Sequence, residues 1–116
     1  MATTCTAWYP VTTNTLKQFR TSLSGASPPK GLSQALTGLW HDGCGDWDRA
    51  HRVVQSGDSQ EDAWVHAYLH RKEGDQSNAA YWYQRCNREP ATGSLESEWN
   101  MIVHELLEKP AGDRAS

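Results

Sequence analysis

Leu39-Trp40-His41-Asp42-Gly43-Cys44-Gly45-Asp46 is answered twenty-nine residues later by Tyr68-Leu69-His70-Arg71-Lys72-Glu73-Gly74-Asp75. His41 falls in register with His70, Gly45 with Gly74, Asp46 with Asp75, and Ala50 with Ala79. Self-similarity at a fixed period of this length marks stacked helix pairs. Gly-Asp is the expected junction within each pair. Glycine reverses the chain at a helix end, and the aspartate carboxylate then takes an orphan N–H of the next helix.

Working outward, apolar residues keep a helical period from Leu32 onward. Leu32, Leu36, Leu39 and Trp40 form one stripe, closed by Gly43 and Gly45. Trp47, Ala50, Val53 and Val54 form the next, closed at Gly57. Ser59 followed by Asp62 resembles a capping box, though Asp stands where Glu or Gln is usual. It opens a helix whose stripe is Trp64, Val65, Tyr68 and Leu69, closed by Gly74. Asp75 starts a helix bearing Ala79, Trp82, Tyr83 and Cys86, stopped by Pro90. After Gly93-Ser94 the cleanest amphipathic stripe of the chain follows: Leu95, Trp99, Ile102, Val103 and Leu106. Lys109-Pro110 ends it. No segment reads as a strand, so the expected class is all-α.

These residues resemble the tetratricopeptide (TPR) and Sel1-like helix–turn–helix repeats over residues 32–90. One unit matches as Gly38, Gly45-Asp46, Ala50, Val54 and Gly57. The other matches as Ala67, Gly74-Asp75, Ala79, Tyr83 and Cys86, with Pro90 near the usual closing proline. The resemblance implies two such units with the C-terminal helix as a cap. Two departures are visible. The period is shorter than the about 34 residues of a TPR. The Leu and Tyr that a TPR packs between its helices are His66 and His70 here, and Thr37 and His41 in the first unit. Leu39–Arg85 also resembles a group of small microbial proteins, a similarity that brings no activity with it.

At 116 residues the chain is expected to form one domain. Residues 1–31, rich in Thr, Ser and Pro, read as an arm with a short helix capped by Asn14 or Thr15 and striped by Leu16, Phe19 and Leu23. The helical domain is expected over 32–109 and a flexible tail over 110–116. The net charge is −3, which argues against a general nucleic-acid or membrane-surface field. The acid-free N-terminal stretch resembles a transit peptide only weakly, having few arginines. Three cysteines at unpaired spacing favour free thiols, a reducing compartment and hence a cytoplasmic setting.

Two functional classes compete. On a TPR-like scaffold the first helix of each unit lines the concave face, which implies a peptide or protein partner held by Leu39, Asp42, Trp64, Tyr68, Arg71 and Lys72. Arg71 and Lys72 suit a ligand carboxylate. The other reading of Trp64 and Tyr68 is core. An open-ended stack rich in tryptophan also suits homo-oligomerisation. The alternative site is His66 and His70, one turn apart on one helix face, with Glu73 following and His41 approaching from the neighbouring helix. Two imidazoles and a carboxylate suit zinc or a small-molecule site. Against this, the rings can be polar packing residues bonded to Asp46, Asn78 or Tyr81. No cofactor is implied apart from that zinc. His41-Asp42, His51 with Asp48, and Cys44 near a helix end are weak candidates for acid–base or thiol chemistry. An enzymatic role therefore ranks behind binding.

Overall fold

A computed structural model describes residues 15–108. Among the described residues there are six helices and no strand: α1 (Leu16–Ser22), α2 (Gln34–Gly43), α3 (Trp47–Gln55), α4 (Gln60–Glu73), α5 (Gln76–Arg85) and α6 (Leu95–Glu108). Each of the first five opens on an oxygen-bearing cap. The side chains of Thr15, Ser33, Asp46, Ser59 and Asp75 accept the N–H of the residue three positions on. Asn14, the other expected cap for α1, lies outside the described residues, as does the expected tail over 110–116.

The two Gly-Asp junctions are built alike. Gly45 and Gly74 take φ values of 88° and 91°, the left-handed region that glycine enters without steric cost. Asp46 N–H donates to the His41 carbonyl and Asp75 N–H to the His70 carbonyl. α2 packs on α3, and α4 on α5. A small residue makes the first of these contacts close. A Cβ at Gly38 would sit 2.7 Å from Val54 Cγ1.

α4 is the axis of the fold. It touches α2, α3, α5 and α6, and every residue from Asp62 to His70 is buried. The expected stripe of Trp64, Val65, Tyr68 and Leu69 is therefore only part of what α4 hides. α6 lies across both helix pairs and buries Trp99, Ile102, Val103 and Leu106. Trp99 Nε1 donates to the Leu39 carbonyl at 3.1 Å. α1 docks on the core through its expected stripe. Phe19 is fully buried, its ring 5.7 Å from that of Trp99.

This packing changes the reading of the expected concave face. Leu39, Trp64 and Tyr68 are core residues beneath α6. Asp42 is buried, accepting from Tyr68 Oη at 3.0 Å and from Lys72 Nζ at 2.9 Å. Arg71 Nη1 donates to buried Glu98 of α6 at 2.9 Å, and Tyr83 Oη donates to the same carboxylate. The six residues expected to hold a partner mainly hold the protein's own helices together. Their physical task follows from α6 occupying the face they were expected to leave open.

Candidate metal centre

The histidine cluster begins with a spacing. His66 and His70 stand one turn apart on α4, so their rings stack, with centroids 4.9 Å apart and planes 23° from parallel. α3 supplies the third ring. Ala50 and Val54 turn inward on α3, and His51 meets α4 at the edge where the two helices touch. His51 Nε2 lies 3.0 Å from His66 Nε2. Its ring centroid is 5.2 Å from that of His70. One nitrogen from each of the three rings lies within 4.8 Å of the other two.

Two tryptophans fix the rings. Trp47, one turn before His51, stacks on it at 4.9 Å with planes 7° apart, and its Nε1 donates to the Leu69 carbonyl at 2.8 Å. Trp82 of α5 stacks on His66 at 3.9 Å. His70 Nδ1 lies 2.7 Å from Glu73 Oε2. A carboxylate only accepts, so Nδ1 is the donor, and Nε2 is the nitrogen that remains for a metal. A carboxylate that orients a histidine in this way is the usual support of a metal-bound imidazole.

Burial sets the charge state. His66 and His70 are buried and His51 is half-buried. His66 is pushed down to about 4, by burial first and then by His51 and His70. His51 is lowered by burial and by His70, against the opposing pull of Glu73 and Asp48. Both rings are neutral at neutral pH, the form that ligates metal. Around a tetrahedral zinc at the usual Zn–N length, ligand nitrogens stand about 3.3 Å apart. The spacings here, from 3.0 Å to at most 4.8 Å, straddle that value, so small ring rotations close the site.

The expected trio of His66, His70 and Glu73 is rearranged. Glu73 bonds the back of the His70 ring, and with Asp75 it makes a second, more exposed group on that side. His41 stays outside the cluster. It lies at the end of α2, edge-on to Trp40 at 5.3 Å, lowered by burial and by Arg49. α3 meets α4 at the cluster, so the third ring comes from α3. Nor do the expected packing partners serve. Asp46 caps α3, Asn78 bonds Asp75, and Tyr81 Oη accepts from Arg85. His51 was legible only as one half of a local pair with Asp48. The better signal is Trp47 and His51 one turn apart, a ring platform facing a His-x₃-His helix.

Cys44 is exposed, with Sγ 3.5 Å from the Leu23 carbonyl. Its thiol is pushed up by burial and by Asp46, so the helix end does not activate it. No helix among the described residues is long and apolar enough to cross a membrane. No protein-family model, no curated protein and no solved structure matches the chain.

Proposed function

We propose that this protein binds a divalent first-row transition ion, zinc or a neighbour of similar ligand preference, through His51, His66 and His70, with Glu73 orienting His70. The observation that carries the reading is the 3.0 Å approach of His51 Nε2 to His66 Nε2 beside a third imidazole whose other nitrogen is tied to a carboxylate. In the metal-free protein a shared N–H joins the His51–His66 pair; the ion takes that place, and the proton moves to the other nitrogen of its own ring. Protonation of either ring competes with the ion, so affinity falls in acid. The TPR-like helix pairs serve on this reading as the frame that sets α3 against α4.

Titration calorimetry on chelator-treated protein tests it. One zinc per chain is expected. His51→Ala and His66→Ala abolish uptake, Glu73→Gln weakens it by about 10–100-fold, and Cys44→Ser leaves it unchanged. Uptake that survives in both His→Ala variants defeats the reading.

A second reading, the peptide-binding module, keeps one specific support. A hollow of about 280 Å³ between α1, α2, α4 and α6 is walled by Asp42, Tyr68 and Lys72, together with Arg20, Leu23 and Trp99. Of the six residues expected to meet a partner, Lys72 is exposed at this hollow, with buried Asp42 and Tyr68 forming its floor. Capture of a defined acidic peptide by the wild type, lost in Lys72→Ala, would favour it.

A further inference from the structure

The donor set around the three histidines is short by one, and that shortage has a chemical meaning. Among the described residues no fourth His, Cys, Asp or Glu joins the His51–His66–His70 group. The two thiols among the described residues point elsewhere, Cys44 toward the Leu23 carbonyl and Cys86 toward the Tyr83 carbonyl. The Glu73 carboxylate holds the far nitrogen of His70. The neighbours that cover the rings are Trp47 and Trp82, and an indole does not ligate metal. The cluster also has a wet side. His66 and His70 are buried, whereas His51, Trp47 and Trp82 are partly exposed.

Contacts other than the histidines set the two helices against each other. α3 and α4 are set by their own caps, by Ala50 and Val54, and by the Trp47 bond to Leu69. Structural zinc sites are closed by four protein ligands, whereas sites that act on a ligand keep one position open. Resting on the metal reading above, we propose that an ion held by His51, His66 and His70 keeps a fourth coordination position on the His51 side for an exogenous small anion or hydroxide. Three neutral imidazoles leave the full double positive charge on the ion. That charge favours an anionic fourth ligand and acidifies a bound water. The ligand class is a small monoanion such as a carboxylate, reaching the ion from the partly exposed His51 side.

Cobalt(II) replaces zinc in such sites and reports its ligands through its visible bands. Cobalt-loaded protein titrated with azide, and separately with acetate, is expected to show a band shift that saturates at one anion per cobalt. His66→Ala should bind neither cobalt nor anion. Cobalt uptake with a spectrum unmoved by either anion overturns this inference while leaving the metal reading intact. Absence of cobalt uptake overturns both. An anion response that appears only in Asp48→Asn or Glu73→Gln shows that a protein carboxylate fills the position, and likewise overturns the inference.

Discussion

Replacing Arg71 with Met tests whether the basic residues of α4 are struts or ligand hooks. The Arg71 side chain is 14% exposed and that of Glu98 only 2%. The guanidinium bonds the Glu98 carboxylate through Nη1 at 2.9 Å and the Gly93 carbonyl through Nη2, tying α4 to α6 and to the loop before it. Met keeps much of the volume but removes the charge. Glu98 is then left buried with Tyr83 Oη as its remaining partner. Breaking one half of a buried ion pair costs about 3–5 kcal/mol. At about 4–8 °C per kcal/mol for a domain of this size, the melting temperature should fall by more than about 12 °C. Urea unfolding followed by tryptophan fluorescence measures the loss. Adding Glu98→Gln to Arg71→Met should recover most of it, because no unpaired charge then remains. A loss within about 0.5 kcal/mol, the range of an ordinary surface substitution, would refute the docking of α6 on α4 and return Arg71 to the role of a free cation.

Three further outcomes follow from the same structure. The His66 ring is lowered from 6.5 to about 4, so chelator-treated protein should hold full stability above the unfolded value and lose it as pH falls toward the folded one. At about 1.4 kcal/mol per unit the loss comes to about 3–4 kcal/mol, and His66→Leu should flatten it; an unchanged acid slope in that variant contradicts the assignment. Gly74→Val should cost about 1–3 kcal/mol in thermal unfolding, because a β-branched residue at φ 91° is strained although its Cβ meets nothing within 4 Å; a neutral result would mean the left-handed turn is wrong. Asp62 is buried, with Oδ1 unpartnered and its carboxyl raised chiefly by burial, so the fold favours the protonated form and loses stability as pH rises through the carboxylate range. Asp62→Asn should therefore be more stable than wild type at about pH 8, with the gain shrinking in acid; a less stable variant at the higher pH would count against it.

Much of this fold was legible because its punctuation is local. Gly45-Asp46 and Gly74-Asp75 declare a turn and a cap within two residues, and both form as read. Thr15 and Ser59 cap as expected, Ser33 caps α2 without having been singled out, and the Trp99–Leu106 stripe needs only the helical period. What escaped depends on partners far apart in sequence. A single stripe cannot announce that α4 is covered on several sides, because that follows from α6 crossing over it. Glu98 reads from sequence as a favourable charge in a first helical turn, yet its energy lies in Arg71 and Tyr83. His66 and His70 stood out because they replace apolar packing residues. His51 did not, since its meeting with them depends on how α3 leans on α4, a relation that no spacing within α3 encodes.

If three imidazoles on α3 and α4 hold one ion, X-ray absorption at the zinc edge will register them on protein loaded with one equivalent of zinc. Nitrogen scatterers are expected at about 2.0 Å with the outer-shell pattern of three imidazole rings, reduced in His51→Ala. A sulfur shell from Cys44 or Cys86, a shell of carboxylate oxygens alone, or protein that retains no zinc would contradict it.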